Sequence, residues 1–247
     1  MTDYTQIMTL DDATHYTPAQ RQAIIERYSE HERDARTRGL PALGSGLVFP
    51  VADAAIACEP LAIADHWARI NGLDFGYEHP FAAVALAWDR DNDVIYVTGE
   101  YAEAKATPIV HAAAIRPWGA WIPCAWPHDG LQHDKGSGDA LAGQYRAQGL
   151  NMHPEHATHE EGGFGTEAGI TELIDRMQTG RLKVFRNCTA WFAEKRNYHR
   201  KNGLIVKERD DLMSATRIGV MMRRFAIVKP GRSMRRRPDD AGGWMGS

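Results

Sequence analysis

Three apolar, β-rich runs follow one another within forty residues of chain: ARINGLDF, FAAVALAWD and DVIYVTGEYAEA, separated by little more than GYEHP and RDND. Separators that short, built from Gly, Pro, Asn and Asp, have hairpin-turn chemistry, so the runs read as three consecutive strands of one meander. After Glu103 the period changes. TPIVHAAAIRPW opens with Thr107 and Pro108 and reads as a helix, WIPCAWP as a short apolar strand, and GSGDALAGQYRAQG as a helix. GTEAGITELIDRMQTG reads as a helix, RLKVF as a strand, TAWFAEKRNYH as a helix, and DDLMSATRIGVMMRRFAI as a final amphipathic helix. The order βββ-α-β-α-β-α predicts an α/β fold with a mixed five-stranded sheet flanked by helices.

The ends of the chain differ from this centre. TPAQRQAIIERYSEHERDARTRG begins with Thr17 as N-cap, Pro18 at the first helical position and Gln20 closing a capping box, and Gly39 stops it. LPALGSGLVFPV then reads as an extended connector. The organisation expected is a helical and extended connector over 1–66, an α/β domain over 67–228 and a flexible basic tail over 229–247 that carries Arg235, Arg236 and Arg237.

Composition narrows the function. The 247 residues carry 29 basic and 32 acidic side chains, so a nucleic-acid surface has to come from local clusters. No run approaches the roughly 18 apolar residues of a membrane helix and no leader pattern opens the chain, which makes a cytoplasmic protein the expectation. Cys58, Cys124 and Cys188 lie far apart and read as free, buried thiols. Gly39 and Gly44 have P-loop spacing, but Ser45 and Gly46 stand where Lys and Ser/Thr are required, so no nucleotide site is expected.

Three places set an Asp against an apolar element: Asp74 at the end of the first strand, Asp129 after WIPCAWPH, and Asp210-Asp211 at the start of the last helix. Singly, each reads as a turn residue or a cap. Together, strand ends on one sheet edge and a helix start beside them can gather carboxylates that repel one another unless a cation neutralises them. Hard oxygen donors suit two Mg²⁺ or Mn²⁺ ions, which can activate water and stabilise the leaving oxygen in phosphodiester hydrolysis.

GLDFGYEHP, PHDGLQHDKGSGDALAGQYRAQGLNM and ERDDLMSATR, in that order, resemble the C-terminal nuclease domain of the large terminase subunit of tailed bacteriophages and prophages. HERDARTRGLPALGSGLVFPV resembles the connector that joins that nuclease to its packaging ATPase. The resemblance implies an RNase H-like fold and endonucleolytic cutting of concatemeric double-stranded DNA in the host cytoplasm. It also implies an ATPase domain, a portal protein and a small terminase subunit as partners, with no membrane. Asp74 matches the aspartate that bridges both metals, Asp129 the acidic residue after the fourth strand, and Asp211 the third ligand. Asp210 is then a cap or secondary ligand. Ser214 stands where some members have a further acidic residue. No Walker A motif is present, so the ATPase is expected on another polypeptide or outside this piece.

His128 beside Asp129 is a possible auxiliary that polarises water or touches phosphate. The loop GLQHDKGSG offers His133, Asp134 and Lys135 to DNA, and the richest basic patch is Lys195, Arg196, Arg200, Lys201, Lys207 and Arg209, leading into the third carboxylate. His153, His156 and His159 read as a solvated loop, Glu100 faces either the cluster or solvent, and Gly76 is expected to leave room for DNA. No base-reading helix is evident, which predicts cutting with little sequence specificity. The alternatives are another RNase H-like nuclease of resolvase type, or a non-catalytic module docking on portal or DNA.

Overall fold

The computed structural model describes residues 16–17, 20–23, 46–132, 140–201, 204–206 and 208–231. Lys135, Lys207, His133, Asp134, Arg235–Arg237 and most of the N-terminal helix expectation lie outside them. The capping box is formed: the Thr17 amide donates to Gln20 Oε1 at 2.9 Å and the Gln20 amide to Thr17 Oγ1 at 3.3 Å.

The meander consists of β2 (Ala68–Asp74), β3 (Phe81–Asp89) and β4 (Val94–Glu103), paired antiparallel from Asp74↔Ala82 to Asp89↔Val94. β5 (Pro123–Ala125) runs parallel to β2, and β7 (Leu182–Phe185) parallel to β4. These are the five strands legible in the sequence. Two dipeptides extend the sheet, β1 (Ala57–Cys58) on β7 and β6 (Asn151–Met152) on β5, giving seven strands in the order β1-β7-β4-β3-β2-β5-β6. Two residues are too few to carry a period-2 signal, which is why the sequence predicts five. A separate hairpin pairs β8 (Arg200–Lys201) with β9 (Leu204–Ile205).

Helices cover both faces. α1 (Pro108–Ile115) and α2 (Leu141–Ala147) close one face over Leu73, Phe81 and Ala83. On the other, α3 (Thr166–Gln178), α4 (Thr189–Asn197) and α5 (Asp211–Met221) bury Ile70, Val84 and Val97. Burial on both faces explains the unbroken apolar run of β3, which sits at the middle of the sheet. Trp191 of α4, fully buried, donates its indole N–H to Thr216 of α5 at 2.8 Å and so locks the two helices together.

Part of the expected connector packs into this core. Val48 and Phe49 are buried, and the single helical turn Asp53–Ile56 buries Ile56 beside β7. No helix among the described residues is long and apolar enough to cross a membrane.

Candidate active site

Asp74 is the last residue of β2, and Gly72 explains what stands beside it. A Cβ on Gly72 would lie 2.0 Å from the carbonyl oxygen of Ala215 and 2.8 Å from the amide nitrogen of Gly219. A Cβ on Gly219 would come within 3.2 Å of the Gly72 Cα. Strand and helix therefore touch backbone to backbone, an approach only glycine permits. That contact brings the first turn of α5, with Asp211, and the preceding Asp210 into the electrostatic field of Asp74.

Asp129 arrives from the other side. β5 pairs with β2 through Gly72↔Ala125, and the chain then makes a 3₁₀ turn, His128–Leu131. Gly130 is wedged against the rings of Trp126 and Phe75, where a Cβ would lie 2.4 Å and 2.6 Å from ring carbons. This pins the turn and leaves the Asp129 side chain exposed.

The charges of three of these carboxylates bear on the fourth, Asp74. Asp74 is pushed up to about 7, chiefly by burial, then by the charges of Asp129 and Asp211 and, more weakly, Asp210, while Arg217 acts in the opposite direction. Asp211 is also raised, by burial and then by Asp210, against its own backbone amide and His79. Among the described residues, no three His, Cys, Asp or Glu side chains converge on one point at ligand distance. The carboxylates are neighbours in charge without being drawn together, as expected of like charges facing one another. A donor set of carboxylate oxygens suits a hard divalent cation, whose charge would let every member stay ionised.

Asp210 occupies the N-cap position of α5 but its side chain makes no capping bond. The expectation of a cap is corrected: Glu194 of α4 does that work, accepting the Met213 amide at 2.7 Å. Burial pushes the Glu194 carboxyl up to about 9, with Asp211 and Asp210 adding to the shift and the Met213 and Leu212 amides opposing it. Glu100, which the sequence left between cluster and solvent, accepts the amides of Ala190 and Trp191 at 3.0 and 2.6 Å and caps α4.

Asp129 borders two hollows. One, of ≈600 Å³, is lined by Phe75, Tyr77, Thr107 and Tyr145; the other, of ≈410 Å³, by His128, Phe164, Thr166 and Arg217. The exposed ring of His128 lies 5.5 Å from that of Phe164 in a stacked arrangement and 4.9 Å from that of His156.

The basic patch is divided by the fold. Lys195 is only 3% exposed and donates to Asp53 at 2.8 Å, and Arg196 pairs with the other oxygen of Asp53 at 2.7 Å. The assignment of Lys195 and Arg196 to DNA is therefore corrected: they fasten the connector's helical turn to α4, because that turn packs where a free helix face was expected. Arg200 spreads its fork over Glu167 at 2.8 and 2.6 Å. Lys201 and Arg209 are exposed. Gly76 lines the larger hollow beside Asp129, and a Cβ there would meet the carbonyls of His79 and Pro80 at 2.5 Å, so its own turn also requires glycine. His153, His156 and His159 belong to no metal-binding group among the described residues.

Three neighbours of the cluster escape a sequence reading. Glu194 and Arg217 look like ordinary charged helix residues, and His79 like part of a turn. The one available signal is that Arg217 lies seven residues after Asp210, two helical turns, and so shares its side of the helix.

Known proteins share both this fold and this sequence. The family described as "Terminase RNaseH-like domain" matches residues 71–223. The large terminase subunit of Salmonella phage P22 is 48% identical over 220 residues, 89% of this chain and 44% of that protein. That of Enterobacteria phage LP7 is 48% identical over 217 residues, 87% of this chain and 46% of that protein. The chain thus spans less than half the length of these curated relatives. The solved P22 large terminase nuclease domain superposes with a TM-score of 0.70 at 46% identity, covering 75% of this chain and 96% of that one. A large terminase from a thermophilic bacteriophage shares the fold at a TM-score of 0.55 and 15% identity, over 85% of this chain and 53% of its own. With the family match over residues 71–223 and 48% identity to two phage large terminase subunits, the chain belongs to the family of terminase RNase H-like domains.

Proposed function

We propose that this domain is a divalent-cation-dependent endonuclease that hydrolyses phosphodiester bonds of double-stranded DNA within a viral packaging motor. The observation that carries the reading is that Asp129 and Asp211, from distant parts of the chain, lie near enough to the end of β2 for their charges to raise Asp74 beyond what its burial does. Family membership and 46% identity to the P22 nuclease domain support it.

Asp74, Asp129 and Asp211 would hold the cations, with Asp210 as a secondary donor. Two Mg²⁺ or Mn²⁺ ions bound there would neutralise the carboxylates, lower the pKa of a water and stabilise the leaving oxygen. Hydrolysis joins the water oxygen to phosphorus, breaks one P–O bond of the DNA backbone and delivers a proton to the oxygen released. Asp74, carried on a rigid strand, would anchor the donor set, and Asp129, on its pinned turn, borders the adjoining hollows. Lys201 and Arg209, both exposed, are suited to phosphates flanking the cut, which favours cutting with little dependence on sequence. An ATPase domain, a portal protein and a small terminase subunit are the proposed partners in the host cytoplasm.

Supercoiled plasmid incubated with the protein in Mn²⁺, Mg²⁺ or EDTA tests the reading, alongside Asp74→Asn and Asp129→Asn. Cutting is expected only with a divalent cation and only from the unaltered protein. Cutting that persists in EDTA or in both variants would overturn it, as would a folded protein that cuts under no condition.

A further inference from the structure

We propose that Arg217 is a substrate-binding catalytic residue whose guanidinium grips the phosphate being cut, and that Gly169 is the positioning residue that gives it its path. This rests on the endonuclease reading.

Arg217, on α5, lines the same hollow as Asp129, His128 and Phe164. Its electrostatic neighbours include Asp74, Asp210 and Asp129. Among the described residues it nevertheless forms no ion pair with any of them. Its one side-chain hydrogen bond to a described residue runs from Nη2 to Ser214 Oγ at 3.3 Å. A guanidinium carries five N–H donors in a fixed fork that matches phosphate oxygens two at a time. Most of that fork is unused, in a cleft shared with Asp129, where the proposed cut would take place.

The stem of Arg217 is built into the fold. Gly169 is buried at the fourth residue of α3, where glycine is among the least favourable choices for a helix. A Cβ there would lie 2.6 Å from Arg217 Cγ and 2.9 Å from Cδ. Those are mid-chain atoms, so any side chain at 169 would push the arginine off its course. The cost of a helical glycine is thus explained by the passage of a single side chain toward the carboxylates. Ser214, one turn before Arg217, completes the arrangement: where an acid would clamp the guanidinium, a hydroxyl leaves its fork open to an anion.

The test has two arms. In the Asp74→Asn background with EDTA, where no cutting occurs on this reading, binding of a short DNA duplex is measured across a salt series. Adding Arg217→Gln should reduce the slope of log K against log salt by about one phosphate contact, while Arg217→Lys should restore it. In the Asp74 protein with Mn²⁺ and saturating plasmid, Arg217→Gln and Arg217→Lys should both lower kcat by roughly 100-fold, since Lys retains charge but not the fork. Gly169→Ala should lower kcat by roughly 10-fold or more without lowering the melting temperature. An unchanged salt slope for Arg217→Gln, or wild-type kcat in both Arg217 variants, overturns the proposal; a fall in melting temperature alone assigns Arg217 a structural role. Absence of cutting by the unaltered protein would instead sink the endonuclease reading, and the salt-slope arm still decides the phosphate contact.

Discussion

Replacing Asp74 by Asn should abolish cutting and, in EDTA, make the protein more stable in a pH-dependent way. The Asp74 carboxyl moves from an ordinary 3.8 to about 7 in the folded state. Below about pH 4 the folded and unfolded states both hold the proton and nothing is lost. Between about 4 and 7 the unfolded chain has released it and the folded chain retains it, so stability falls by about 1.4 kcal/mol per pH unit. Above about 7 the penalty is constant. Roughly three units set a ceiling of about 4 kcal/mol, which solvent at the open cleft reduces. Asn has nearly the same shape and no charge, so the penalty disappears in the variant. Glu194 has a shift of the same sign but is common to both proteins and largely cancels in the difference. Urea denaturation at pH 5 and pH 8 should show the advantage of Asp74→Asn growing by about 1 to 3 kcal/mol between the two. Mn²⁺ should stabilise the unaltered protein more at pH 8 than at pH 5, since ligation requires the ionised carboxylate. A variant no more stable at pH 8 than at pH 5, relative to the parent, would refute the claim that burial and the neighbouring carboxylates raise Asp74.

Other consequences are simpler to measure. Gly72→Ala should cost about 3 kcal/mol or more in urea denaturation and abolish cutting, because its Cβ would lie 2.0 Å from a backbone oxygen that cannot move without shifting α5; a loss below about 1 kcal/mol would contradict the backbone contact. Asp53→Ala should destabilise by about 3 to 5 kcal/mol by stranding the buried Lys195, whereas the same change at Glu167, whose Arg200 is on the surface, should cost under about 1 kcal/mol. Of the three thiols, Cys124 and Cys188 are buried and pushed up to about 12, so a maleimide reagent should label the native protein only at the half-buried Cys58, and slowly; mass spectrometry of the labelled peptides decides it.

The strands and the acidic residues were legible for different reasons. β2, β3 and β4 announce themselves because a buried strand needs a continuous apolar run and the turns between them need Gly, Pro, Asn or Asp. Asp74, Asp129 and Asp211 stood out because a charge at the end of an apolar element needs a reason. Lys195 was misread for the converse cause. A lysine in a basic helix looks solvated, and only the docking of Asp53, 142 residues earlier in sequence, turns it into a buried ion pair. Glu194 and Arg217 were silent because nothing local distinguishes a helical Glu or Arg that faces solvent from one that faces another helix.

The sequence by itself determined the alternation of elements, the central meander and the residue types able to bind hard cations, since these depend on period and chemistry within a few residues. Tertiary structure alone decided which charges meet. Gly72 and Gly219 bring β2 and α5 into backbone contact, Gly130 pins the turn that carries Asp129, and Gly169 clears the way for Arg217. A missing side chain has no meaning along the chain; it acquires one only when a second element passes through the space it leaves.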